Sequence, residues 1–130
     1  MKDFYKVLHR SGPEEEILRT GIPEESYRFT LELNPAHPVY EGHFSGNPVV
    51  PGVCQVQMIS EMVSEIKGCA LRLMQADTIK FLSLMVPVKN RFVDAMLRIR
   101  YAGNGELSVN ATLHEGEIVF IKFKGVFREE

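Results

Sequence analysis

The sequence predicts an α+β fold in which one long helix is set against a run of antiparallel strands. Three observations predict it. Tyr27, Phe29, Leu31 and Leu33 alternate with Arg28, Thr30 and Glu32, the period of a half-buried strand. Gly52 to about Lys67 repeats apolar residues at helical spacing. From Leu97 onward, further alternating runs are separated by glycine-containing turns.

Taken in order, Met1-Lys2-Asp3-Phe4-Tyr5-Lys6 lacks the apolar run of a signal peptide, and Ser11-Gly12-Pro13 reads as a turn. The strand through Tyr27–Leu33 enters a loop at Asn34-Pro35. The helix after it places Val53, Val56, Ile59, Met62, Val63 and Ile66 on a broad apolar arc. Its opposite arc carries Gln57, Ser60, Glu61, Ser64 and Lys67. Leu97, Ile99 and Tyr101 alternate with Arg98 and Arg100, then turn at Gly103-Asn104-Gly105 into Leu107, Val109, Ala111 and Leu113, a hairpin pair. A second turn around His114-Glu115-Gly116-Glu117 feeds Val119, Ile121 and Phe123, closing the sheet near Phe127.

At 130 residues the chain is expected to be a single domain spanning 1–130, large enough to bury its own core. Fifteen basic and 17 acidic residues leave a net charge of -2, which gives no general attraction to nucleic acid or anionic membrane. No stretch is long and uncharged enough to span a bilayer, so a cytoplasmic location is expected. An acidic partner would need a local basic patch, for which Arg72, Lys80, Lys89, Arg91, Arg98 and Arg100 are candidates. Alternating arginines on a strand equally describe its solvent face.

The two cysteines, Cys54 and Cys69, are too few for a disulfide framework and lack zinc-site spacing. Cys54 reads as a small buried side chain. His37 precedes Pro38, which restricts its backbone and suits it to supporting the loop, and His9 and His114 read as surface residues. Metal ligands are not expected, because no histidine stands at ligand spacing with another histidine or acid apart from the weak pair His37 and His43, six apart on a loop, and cofactors are not expected, because neither a phosphate-binding glycine loop nor a dinucleotide fingerprint occurs.

Between the first strand and the helix runs His37-Pro38-Val39-Tyr40-Glu41-Gly42-His43-Phe44-Ser45-Gly46-Asn47-Pro48-Val49-Val50-Pro51-Gly52-Val53. Pro48 and Pro51 fix the backbone, and Gly46 and Gly52 supply bends or close approach. The first amides of the helix lack intrahelical acceptors and sit at its positive end, suited to a carbonyl oxygen that gains negative charge. His43 is the base that this loop can bring to such a carbonyl; its plainer reading is a solvated loop histidine.

The segment from Gly42-His43-Phe44 through Gly46, Pro48 and Pro51-Gly52-Val53 resembles the active-site motif of the 3-hydroxyacyl-acyl-carrier-protein dehydratases, which are hotdog-fold lyases of fatty acid synthesis. The resemblance implies a hotdog fold, a long central helix wrapped by an antiparallel β-sheet, assembled as a homodimer. Ile79-Lys80-Phe81 through Val86-Pro87-Val88 resembles the family's strand-turn-strand segment after the helix. By the same resemblance, His43 takes a proton from C2 of the acyl thioester while the amides of Gly52 and Val53 polarise the thioester carbonyl. The acyl chain lies in a tunnel between subunits, lined by residues such as Phe44, Val50, Met58, Phe81 and Leu84. Acyl-carrier protein or coenzyme A is the expected carrier of the substrate.

One departure separates this chain from that pattern. The family carries an acid on the helix fourteen residues after the histidine, where this chain has Gln57, and many relatives have glutamine where this chain has Glu61. A glutamine hydrogen-bonds with both ends of its amide but does not exchange a proton near neutral pH. Glu61 lies one turn on, roughly 40° around and 6 Å along the axis. It reads either as the displaced acid or as a solvated or interface carboxylate beside Ser60 and Ser64. The expected function is dehydration of 3-hydroxyacyl thioesters to trans-2-enoyl thioesters. Two alternatives stand beside it, a non-catalytic hotdog module that binds acyl groups or acyl-carrier protein, and a hotdog acyl thioesterase.

Overall fold

A computed structural model describes residues 1–41 and 46–130. The elements run β1 (Tyr5–Ile17), β2 (Pro23–Leu33), a 3-10 turn (Pro38–Tyr40), α1 (Gly52–Lys67), β3 (Leu71–Phe81), β4 (Phe92–Tyr101), β5 (Glu106–Glu115) and β6 (Ile118–Glu129). All strand pairs are antiparallel, in a six-stranded sheet ordered β1-β2-β4-β5-β6-β3. β1 and β3 are therefore its edges.

One face of the sheet is apolar and covered by α1. Phe29, Leu31, Leu97, Ile99, Val109 and Leu113 are fully buried there with Met58, Ile59, Met62 and Val63 of the helix. Burying each such side chain is worth about 1.5–3 kcal/mol, so the period-2 runs decide which face turns inward. The helix stops at Gly68, whose left-handed φ of 78° lets its N–H reach Ser64 O at 2.8 Å.

The expected strand through Tyr27–Leu33, the helix and the β4–β5 and β5–β6 hairpins are all present. The β5–β6 turn is tighter than expected, since His114 and Glu115 remain in β5. Three other expectations need correction. Ser11-Gly12-Pro13 is no turn: it lies inside β1, where the pairing with β2 shifts register between Ser11 and Glu14. Most of β1 is exposed on both faces, which erases the alternation that marks a strand. Val86-Pro87-Val88 is not a strand either, because Asn90 folds the chain back, its N–H bonding Val86 O and its Oδ1 accepting from Val86 N–H. The buried arc of α1 is rotated as well: Cys54, Gln55, Met58, Ile59, Met62 and Val63 face the core, while Val53 is 77% exposed. A buried glutamine on the inward face is what disguised the true arc.

Candidate functional site

The approach to the helix is fixed from several sides. His37 caps the 3-10 turn, its Nδ1 accepting from Val39 N–H at 3.0 Å while Nε2 lies 3.0 Å from Lys2 O. Its ring also meets Phe4 edge-on. His37 thus supports the loop. Val50 is buried, with its N–H bonded to Met85 O at 2.8 Å and its carbonyl accepting from the Gln55 side-chain amide at 3.3 Å. Gln55 holds the end of the loop onto the helix it precedes. Sequence reasoning passed over this residue, and no spacing signal distinguishes it from Gln57.

At the helix start, the N–H groups of Cys54 and Gln55 both turn back to Pro51 O, at 3.0 and 3.2 Å. Among the described residues, the N–H groups of Gly52 and Val53 have no acceptor, and the first turn holds no acidic side chain. Two amides and the positive end of the helix dipole are left for an incoming oxygen. The Phe81 ring lies against Gly52 so closely that a Cβ there would stand 2.5 Å from it. That approach is possible only for glycine. Cys54 beside it is buried, and burial pushes its thiol up, away from reactivity.

One turn further along, Gln57 and Glu61 face a groove of about 520 Å³ lined also by Val53, Ser60, Ser64 and Leu73. Gln57 Nε2 donates to Glu61 Oε2 at 3.1 Å, and the Tyr5 hydroxyl donates to Oε1 at 2.9 Å. The Met1 ammonium also contacts Oε2. Burial acts to raise the Glu61 carboxyl, but the bonds from Met1, Gln57 and Tyr5 outweigh it and hold the group below the usual carboxylate range. Burial, reinforced by Glu61, pushes the Tyr5 phenol far above its ordinary value. Tyr5 is the second residue that sequence reasoning missed, since nothing in a strand start points to a helix distant in the chain.

His43 and Phe44 lie outside the described residues. Of the other expected tunnel residues, Val50 and Met58 are in the core, Phe81 packs on Gly52, and Leu84 is 72% exposed. Of the candidate basic patch, Arg91 pairs with Glu32, and Arg98 and Arg100 pair with Glu24. Among the described residues no group of three or more His, Cys, Asp or Glu is placed to hold a metal, and no helix is long and apolar enough to cross a membrane.

One helix packed on a six-stranded antiparallel sheet defines a hotdog fold, and solved structures agree over nearly the whole chain. The dehydratase heterocomplex ApeI:P from Xenorhabdus doucetiae superposes with a TM-score of 0.66 at 18% identity, covering 99% of this chain and 100% of that one. An uncharacterized protein from Erwinia carotovora subsp. atroseptica gives 0.64 at 20% identity, over 95% and 94%. A putative thioesterase, yhdA from Lactococcus lactis, gives 0.59 at 10% identity, over 94% and 92%. At these identities the likeness is one of fold. In sequence, the ApeI-like family, described as ApeI dehydratase, matches residues 20–120, and the chain belongs to that family. The 3-hydroxyacyl-[acyl-carrier-protein] dehydratase FabZ of Acetivibrio thermocellus is 31% identical over 88 residues, which are 62% of this chain and 60% of that protein.

Proposed function

We propose that this chain dehydrates 3-hydroxyacyl thioesters, presented on acyl-carrier protein or coenzyme A, to trans-2-enoyl thioesters. The observation that carries this reading is the pair of amides at Gly52 and Val53 that have no acceptor among the described residues, on a helix start that follows the His43 motif. Those amides hold the thioester oxygen as it gains charge, which acidifies C2 of the acyl chain. His43 takes the C2 proton, the C2–C3 double bond forms, and the C3–O bond breaks. The hydroxyl leaves as water when it regains that proton from the imidazolium.

Gln57 and Glu61 divide the remaining work. A carboxylate held ionised by three donors is a poor proton source, so Glu61 orients rather than donates. With Nε2 committed to Glu61, the Gln57 carbonyl oxygen is left to accept from the substrate hydroxyl or from a water that relays the proton.

A second copy of the chain completes the site. Supporting this are the edge position of β3 and the exposed apolar side chains of Val53, Phe81, Leu82, Leu84 and Val88, surface of a kind that partners cover. In that dimer Phe44, Val50, Met58, Phe81 and Leu84 line the acyl tunnel. A second reading, an acyl-binding module without turnover, is favoured by Gln57 in place of an acid.

The test is conversion of a 3-hydroxyacyl thioester in both directions by the native chain and by His43→Ala. Turnover that falls at least a hundredfold in the variant supports the dehydratase, in line with the usual contribution of a general base. An inert native protein that still binds the thioester assigns the chain to the second reading.

A further inference from the structure

Gln55 and Asn90 are the two buried amide side chains among the described residues, 3% and 5% exposed. Both act on one pair of backbone segments. Gln55 Nε2 donates to Val50 O at 3.3 Å, and Val50 N–H donates to Met85 O at 2.8 Å. At the next residue, Val86, Asn90 Oδ1 accepts from the N–H at 2.9 Å, and the Asn90 N–H donates to the carbonyl. Asn90 Nδ2 reaches Glu115 Oε2 at 3.4 Å. A chain of polar contacts therefore runs through the interior from the end of β5 to the start of α1.

Packing alone does not explain a glutamine at position 55. Among the described residues its Oε1 is buried with no hydrogen-bond partner, a desolvation penalty that an apolar side chain of similar length avoids. Its neighbours on the inward face of α1 include Met58, Ile59 and Met62. The amide instead secures the helix from behind. A helix start is commonly held by a Ser, Thr, Asp or Asn side chain whose oxygen occupies an N–H of the first turn. Pro51 stands at the cap with no side-chain bond. Two consecutive carbonyls are held in its place, Val50 O by the Gln55 side chain and Pro51 O by the Cys54 and Gln55 N–H groups at 3.0 and 3.2 Å. These bonds fix the peptide planes on both sides of Pro51. The Pro51–Gly52 peptide is trans, so with its carbonyl turned into the helix the Gly52 N–H points away from it.

We infer that Gln55 is a positioning residue for the carbonyl-binding amides: its buried side chain holds Val50 and Pro51 so that the Gly52 and Val53 N–H groups stay open and aligned on one oxygen. That this oxygen belongs to an acyl thioester rests on the function proposed above. Gln55 touches neither the substrate nor a reacting atom. Its effect is on rate, because donors aimed at a developing oxyanion act most strongly when they are fixed beforehand, and a displacement of about 1 Å can lower a rate a hundredfold. The same bond adds little to stability, since the unpartnered Oε1 offsets what Nε2 contributes.

The test compares the native chain with Gln55→Met and Gln55→Leu, which keep an apolar side chain in the space and remove the donor. Three quantities are read: the melting temperature, kcat and KM for a 3-hydroxyacyl-pantetheine thioester, and the infrared carbonyl stretch of a bound saturated acyl-pantetheine thioester. The last is isotope-labelled at its carbonyl and has no hydroxyl to lose. Both variants should melt within about 4 °C of the native chain. Their kcat should fall roughly tenfold or more with KM within about twofold, the pattern of a contact that counts only in the transition state. The carbonyl stretch, lowered on the native chain by the two amides, should return toward its free value in both. A stretch and a kcat that match the native chain overturn the role of Gln55 even where turnover upholds the dehydratase. Both variants melting far below the native chain, whatever their rates, makes the bond a structural one and overturns the inference as well. A thioester that fails to bind the native chain, or binds with its stretch unmoved, removes the carbonyl site and the inference with it. A lowered, variant-sensitive stretch without turnover in either direction leaves Gln55 in its role and sinks the dehydratase reading.

Discussion

The Tyr5 hydroxyl donates to Glu61 Oε1 at 2.9 Å, tying the first strand to the middle of the helix across 56 positions of sequence. The other oxygen of the same carboxylate receives Gln57 Nε2. A strand residue thereby sets the orientation of a glutamine it does not touch, through a carboxylate that stays charged.

Tyr5→Phe removes one hydrogen bond to a charged, partly buried acceptor and keeps the ring. The expected loss is about 1.5–3 kcal/mol, the range for bonds to ionised groups, read as a lower urea midpoint with unchanged slope. Turnover should fall with it while affinity for the thioester holds, because the Gln57 amide loses its fixed partner and not its carbonyl.

The pH dependence of stability follows from Glu61. Its carboxyl lies lower in the folded chain than in the unfolded one, so the unfolded chain binds its proton first as pH falls. The contribution of Glu61 is therefore complete above the ordinary carboxylate range and is lost as pH drops through its folded value. Melting curves should show Glu61→Gln destabilised near pH 7 and converging on the native chain in acid. Parallel curves across that range would remove Glu61 from the account.

Gly52→Ala places a methyl 2.5 Å from the Phe81 ring. Phe81 is 53% exposed, so the ring can swing outward, and the stability cost should stay at the lower end of the roughly 1–3 kcal/mol range for overpacking. The larger effect falls on function, since the displaced ring borders the amides that hold the thioester oxygen. A kcat loss of tenfold or more with a small shift in melting temperature is expected, with partial recovery in Gly52→Ala, Phe81→Leu.

How far this arrangement could be read beforehand depended on burial. β2, β4 and β5 announced themselves because each has one wet and one dry face, and the helix because its apolar residues recur at helical spacing from Gly52 to about Lys67. β1 and β3 did not, being edge strands whose side chains are mostly exposed on both faces. Gly52, Val53, Gln57 and Glu61 were legible from a local motif and one helical turn. Gln55 and Tyr5 were not: a buried amide looks like a surface one in sequence, and the Tyr5–Glu61 contact exists only once β1 has folded beside the helix.

Gln57→Glu tests why the acid is absent. It sets a second carboxylate about 3 Å from Glu61, the present separation of Gln57 Nε2 from Oε2. Two carboxylates so close do not both ionise readily, and one of them is raised well above its ordinary range. Glu61 keeps the Tyr5 donor, so the raised group is the one at position 57, which then carries a proton in the neutral region and can hand it to the departing hydroxyl. Turnover should rise about tenfold or more at mildly acidic pH and decline as that group ionises, giving an alkaline limb that the native chain lacks. A rate profile for Gln57→Glu that is no faster than native and equally flat would show that Gln57 and its relayed water already suffice.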